Sequence, residues 1–382
     1  MSRVCTVLML SLFCAQPALS ETSSRFSTLV AAEAWDADNS PYHGVLLAAY
    51  DLSGLPAGAR LSVVFNTDTL RLEYDGVRLA PTLEAGGRLT GEGKIANLLS
   101  DYFRDGENDL SRTFYASYLQ GQGWLKWNPL SRTYLTLEIG ARRWFFERRD
   151  ATADALVLPA ESLVLESRLH VAWWGLRDDA GWRDRHRLYP RLRGVAFGLS
   201  LLLNYQADVH PWGARNVADF DPIDPRNTPE TAQFGFVQWV KGGWPLGKTL
   251  RFELEEELGW MTGEDDLSRR SAGGMMPYTV TVPGVPWAYF HVGDYLASQF
   301  SLRWEISEAL ELGPLASVAG LRDADRVGAN GFDLLWGIGG VVDWRIGPWQ
   351  IDVRGGVSPA LATLHSSQRA WSALASFGWA TE

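Results

Sequence analysis

The six histidines, His43, His170, His186, His210, His291 and His365, are the natural place to look for acid–base or metal chemistry. None lies in an HExxH pattern, and no pair combines zinc-like spacing with a carboxylate on a helix. His170 sits beside Arg168 and Glu166 on an alternating segment, so a hydrogen-bonded wall residue describes it better than a general base. His210, Asp219, Asp221 and Asp224 share a loop with Pro222 and Pro225. Those oxygens would suit Ca²⁺, although a solvated loop explains them more simply. Glu253, Glu255, Glu256 and Glu257 resemble a paired-carboxylate site, but strand alternation turns most of them into a wall facing arginines. The one adjacent base–nucleophile trio is His365-Ser366-Ser367, and no G-x-S-x-G is present. Phosphate-loop and dinucleotide fingerprints are also absent, so no cofactor is implied and an enzyme is not expected.

The elements that would position these residues are strands. Side chains alternate between two faces with period two. In Thr133 to Arg143, Leu135, Leu137, Ile139 and Ala141 share one face, and Thr136, Glu138, Gly140 and Arg142 the other. Thr249 to Trp260, Gln299 to Ile306 and Trp349 to Ser358 repeat the pattern, with Glu256 breaking one apolar face. Fifteen segments fit: 26–36, 43–53, 60–75, 77–92, 113–128, 132–148, 161–177, 192–208, 231–245, 248–262, 294–306, 309–321, 331–346, 348–358 and 369–380. A long segment can conceal a hairpin. Asp150–Ala160 and Ile95–Phe103 are the only stretches suited to a short helix. Tight connections such as 128–131, 243–247 and 346–348 alternate with long polar ones at 178–190, 211–230, 263–293 and 321–330, a pattern typical of a barrel with turns at one end and loops at the other.

The chain has 382 residues, 46% hydrophobic and 21% charged, which excludes a disordered polypeptide. Its formal charge of -10 argues against nucleic acid as a partner. Only Lys94, Lys126, Lys241 and Lys248 are lysines among 35 basic residues, which favours fixed ion pairs made by arginine. Met1-Ser2-Arg3, the apolar stretch Val4 to Cys14 and the small residues of Ala18-Leu19-Ser20 read as an export signal over 1–20, cleaved before Glu21. Both cysteines, Cys5 and Cys14, fall inside it, so the exported chain has neither a disulfide nor a thiolate. With no linker or composition break, 21–382 is expected to be one domain.

After the signal no apolar run reaches the about 20 residues of a spanning helix, so strands would have to cross a membrane. Lipid cannot hydrogen-bond a backbone, and only a closed sheet has no free edge. Trp124, Trp127, Trp144, Trp173, Trp174, Trp239, Trp244, Trp260, Trp344, Trp349 and Trp379 cluster toward strand ends, as aromatic girdles do. A charge on the lipid face costs roughly 2–4 kcal/mol at mid-depth, so the charged faces must line the lumen. The candidate lumenal charges are Glu138, Arg142, Glu166, Arg168, Arg251, Glu253, Glu255, Glu257, Arg303, Glu305, Asp352 and Arg354. Their mixed signs predict a narrow or closed lumen. The expected fold is all-β: a transmembrane antiparallel β-barrel of about 12–16 strands. A soluble sandwich with solvated charged faces is the competing architecture.

Three places resemble the BamA-like surface-antigen superfamily of outer-membrane assembly and translocation barrels. One is Leu176-Arg177-Asp178-Asp179, followed by Tyr189-Pro190-Arg191-Leu192-Arg193-Gly194 and an amphipathic strand. The second is Ala272-Gly273-Gly274 with Val282-Pro283-Gly284-Val285, similar to the Gly-Gly and Val-Arg-Gly-Phe elements of the sixth extracellular loop, which folds into the lumen. The third is the strand from Gly293 to Glu305, with five strands after the loop. The resemblance covers roughly residues 130–380 and implies sixteen strands. It also implies that the 263–293 loop, with Gly273, Gly274, Pro283 and Gly284, is the working element, its glycines giving the backbone freedom to fold inward and lumenal Arg and carboxylate residues anchoring it. The sequence departs from the family at the loop tip, where Pro283 and Val285 stand in place of Arg and Phe, so the family's lumenal lock cannot form in the same way. Between Glu21 and the first confident strand there is too little chain for a POTRA module.

The sequence therefore predicts an outer-membrane barrel of a Gram-negative bacterium, embedded in outer-membrane lipid. It would translocate or insert protein or lipid cargo, with a separate periplasmic partner supplying what POTRA modules supply elsewhere. A porin-like channel is the first alternative, and a lipid-acting hydrolase built on His365 the second.

Overall fold

The computed structural model describes residues 23–35, 42–55, 59–67, 69–93, 103–104, 107–108, 111, 113–176, 191–213, 228–263, 270–272, 280–285, 290–323, 332–359 and 371–380. The expected export signal, Ile95–Ser100 and His365-Ser366-Ser367 lie outside the described residues.

Sixteen strands make one antiparallel sheet. They are β1 (Ser23–Trp35), β2 (Tyr42–Ser53), β3 (Arg60–Asn66), β4 (Thr69–Ala80), β5 (Leu83–Glu92), β6 (Phe114–Leu130), β7 (Thr133–Arg148) and β8 (Leu163–Trp174). The second half holds β9 (Gly194–Gln206), β10 (Ala232–Pro245), β11 (Leu250–Met261), β12 (Phe290–Glu305), β13 (Leu310–Asp323), β14 (Phe332–Ile346), β15 (Trp349–Val357) and β16 (Trp371–Ala380). A three-residue strand, Arg270–Ala272, extends the β12 ladder beyond β11, and a two-residue hairpin (Phe103–Arg104 with Glu107–Asn108) stands apart. Each strand pairs with its sequence neighbours. β1 pairs with β16 from Ser27↔Ala380 to Trp35↔Ser372, so the sheet closes on itself without a free edge.

The sequence divides residues 60–92 into two segments where the structure has three strands. Asp75-Gly76 has the composition of a turn, but it forms a bulge inside the β4–β5 ladder, with Gly76 at φ 72. The real reversals lie at 67–68 and 81–82, which raises fifteen segments to sixteen strands. Asp150–Ala160 is not a helix. Its carbonyls at Ala153 and Leu156 accept from the Arg148 guanidinium, and Thr152 Oγ donates to the Thr113 carbonyl, so backbone pairing within a helix is displaced.

Strict up-and-down order sorts the connections onto two rims. β1 begins and β16 ends at the same rim, which also carries the tight turns at 81–82, 131–132, 246–249, 306–309 and 347–348. The opposite, loop rim carries 93–113, 149–162, 207–231 and 262–289. The long connection between β8 and β9, which on length alone belongs with the loops, lies at the turn rim.

The two faces separate as alternation requires. Leu137, Ile139, Leu199, Leu203, Trp336, Ile338, Trp344 and Val353 stand exposed on the outer wall. The residues that alternate with the outer wall point inward, and among them Arg251, Glu253, Arg303, Asp343, Asp352 and Arg354 are buried. The sheet thus has its apolar side out and its charged side in, the reverse of a water-soluble body.

Candidate functional site

The lumen is occupied by the chain itself. Val282-Pro283-Gly284-Val285, from the connection between β11 and β12, makes a tight turn in which Val285 N donates to the Val282 carbonyl at 3.2 Å. Proline at the second position and Gly284 at φ 82 in the third are what a type II turn demands. Val280, Val282 and Val285 are buried in a cluster with Val292 and Tyr295 of β12, Ala319 and Leu321 of β13, and Leu335 of β14.

The inner wall has been cleared of side chains where the tip rests. A Cβ at Gly337 of β14 would overlap the Pro283 carbonyl oxygen, and one at Gly356 of β15 would lie 2.6 Å from Pro283 Cβ. Gly284 itself faces the backbone of Val357 and Ser358, and its N–H donates to Ser372 Oγ of β16 at 2.9 Å. The tip therefore crosses β14, β15 and β16, beside the β1–β16 closure. Gly273 and Gly274 lie outside the described residues. On the loop's ascending arm, Arg270 Nε is 3.5 Å from Glu257, whose carboxylate also accepts from Tyr295 Oη.

Most of the lumenal charges pair with one another. Arg142 meets Glu166 at 2.7 Å, and Lys241 meets Glu255 at 2.6 Å. Arg251 bridges Glu253, Glu305 and Glu311 at 3.0, 2.7 and 2.9 Å, while Arg303 holds the other oxygen of Glu253 at 3.0 Å. Asp352 and Arg354 pair at 3.0 Å. Glu138 and Arg168 face each other across β7 and β8 but do not form an ion pair. His170 Nδ1 lies 2.8 Å from Ser200 Oγ, and its ring stacks on Trp239. His210 Nε2 donates to the Leu158 carbonyl at 2.9 Å, whereas Asp219, Asp221 and Asp224 lie outside the described residues.

The Arg251 cluster fixes a second intruding segment, the end of the β8–β9 connection. Arg191 Nε is 2.8 Å from Glu311, Arg193 is 3.3 Å from Glu305, and Leu192 N donates to Glu253 Oε1 at 3.2 Å. Burial, reinforced by the positive charge of Arg345, holds the Arg191 guanidinium below its ordinary range, against the opposite pull of Glu311 and Asp343. Gly243 admits the Leu192 carbonyl, since any side chain there would overlap it. Beside the charged cluster, both intrusions also rest on residues with no chemical signature of their own. Gly243, Gly337, Gly356 and Ser372 look ordinary, and their one signal is a glycine or serine at an inward position of a strand.

Neither a family model nor a curated protein sequence matches the chain, whereas solved structures do. The BamA barrel of Haemophilus ducreyi, in a form lacking POTRA domains 1–3, superposes with a TM-score of 0.63 at 12% identity, over 94% of this chain and 70% of that one. CdiB from Acinetobacter baumannii gives 0.58 at 10% identity, over 94% and 60%. CdiB from Escherichia coli gives 0.60 at 9% identity, over 96% and 64%. The chain thus spans about two thirds of the length of these proteins. Its fold is the sixteen-strand, BamA-like barrel that the sequence motifs implied, and the soluble sandwich is overturned by closure of the sheet.

Proposed function

We propose that this chain is an outer-membrane β-barrel that inserts or translocates protein or lipid cargo, acting with a separate periplasmic partner. The observation that carries this reading is the seated tip, Val282 to Val285, held on the inner wall of β14–β16 beside the barrel's closing seam. A loop in that position couples the lumen to the one strand pair that joins the two ends of the sheet. The exposed aliphatic and aromatic outer wall calls for hydrocarbon around it, because a monomer in water rarely exposes so large an apolar surface. The similarity to BamA and CdiB supports the same reading at the level of fold. A porin-like channel fits less well, because the tip and the 191–193 segment both occupy the lumen. No described residue supports a hydrolase.

Purified, refolded protein in liposomes should accelerate the membrane insertion of an unfolded outer-membrane protein relative to empty liposomes. Deletion of residues 282–285 should abolish the acceleration. A wild-type protein that gives no acceleration, but conducts ions steadily in a planar bilayer, would instead be a channel.

A further inference from the structure

Below the loop rim, the lumen contains a chamber of about 270 Å³ that neither intrusion fills. Its wall is a belt at one level of the barrel. The register runs Arg88↔Gln122↔Gly140↔Glu166↔Asn204↔Gln233 across β5 to β10. Gly140, in the middle of this belt, lets the Gln122 side chain lie flat across it, because a Cβ there would meet Gln122 Cγ and, at 2.8 Å, the Gly121 carbonyl. Gln120, Arg142 and Gln206 line the level above, and Glu138 and Arg168 the level below. Trp212 and His210 lie toward the loop rim, with Trp144 and Phe146 stacked at the side.

Part of this wall is already satisfied internally. Arg88 donates to Gln122, Gln120 Nε2 donates to Glu166 at 2.5 Å, and Asn204 reaches Gln233 at 3.5 Å. Arg168 is not: among the described residues its guanidinium has neither a hydrogen-bond nor an ion-pair partner, and it stands exposed in the chamber. Glu138, its cross-strand neighbour, is equally unpartnered there. Three arginines against two glutamates leave the chamber one positive charge in a chain of formal charge -10. A free planar guanidinium favours a carboxylate or phosphate. A free carboxylate, several amides and aromatic faces together suit a ligand rich in hydroxyls. The volume falls just below the roughly 300–1,000 Å³ of pockets that hold drug-sized ligands, so one ring fits and a chain does not.

We propose that this chamber is a binding site for a single acidic monosaccharide, with its acid group on Arg168 and its hydroxyls on Glu138 and the amide belt. The site is built by β5–β10, away from the tip on β14–β16, so it stands whether or not the barrel moves cargo.

The test is calorimetric titration of the full refolded chain in detergent micelles with sodium glucuronate, with glucose and inorganic phosphate as separate probes. Glucuronate should bind, and each of the other two should bind at least about tenfold more weakly, because each offers only half of the recognised chemistry. R168Q should weaken glucuronate about tenfold or more, with R168K intermediate. Heat-modifiable gel migration identical to wild type shows that both variants are folded. Three results would overturn the proposal: no binding at about 10 mM glucuronate, unchanged affinity in folded R168Q, or phosphate binding as tightly as glucuronate.

Discussion

Gly337→Ala should unseat the lumenal tip without disturbing the barrel. The added Cβ would sit on the Pro283 carbonyl oxygen, and because both are fixed by backbone, no rotamer relieves the contact. Burying three valines and making the Gly284–Ser372 hydrogen bond contributes about 5–10 kcal/mol at most. Ordering the six backbone positions 280–285 costs about 6–12 kcal/mol. The opposing terms nearly cancel, so the seated state is held by a margin of no more than a few kcal/mol. Overpacking of this kind costs about 1–3 kcal/mol, which shifts the seated–unseated equilibrium by about 5- to 150-fold. Two assays read it: thermolysin cleavage within 280–285, and single-channel open probability in planar bilayers. Both should rise about tenfold, with the strand signal in circular dichroism unchanged. A folded G337A protein with wild-type protection and wild-type conductance would refute the claim that this glycine seats the tip.

Ser372→Ala removes the acceptor of a buried N–H and should loosen the tip by about 1–3 kcal/mol, read by the same protease assay. Glu311→Gln deprives Arg251 and Arg191 of a shared buried carboxylate. It should destabilise the barrel by about 3–5 kcal/mol, seen as a lower urea midpoint for the gel-migration shift. R251M/E311L should be less stable still, because Arg191 stays without its carboxylate while Glu253 and Glu305 also lose Arg251. Ile139→Arg, on the outer wall in the middle of β7, should cost about 2–4 kcal/mol in liposome refolding, while Glu138→Gln beside it should cost far less.

Much of the barrel is legible along the chain because strand alternation is a local property. Leu137 and Ile139 against Glu138, or Trp349 and Val353 against Asp352 and Arg354, declare their faces from immediate neighbours alone. The failures have equally local causes. Asp75-Gly76 has turn composition and makes a bulge, while the true reversal at 67–68 is carried by Thr67 at φ 49, a residue that does not advertise a turn. The β8–β9 connection is long and polar like a surface loop, and only counting strands from a correct hairpin assignment puts it at the turn rim.

Alternation and composition along the chain set the inward and outward faces and the supply of arginine for internal pairing. What the tip rests on, that Arg251 and Glu311 clamp Arg191 and not the tip, and that Arg168 stands without an ion-pair partner among the described residues of the chamber wall all come from the assembled barrel. The reason is that facing follows from a two-residue period within one strand. Adjacency across the lumen depends on the register and closure of all sixteen strands, and no short stretch of chain encodes that sum.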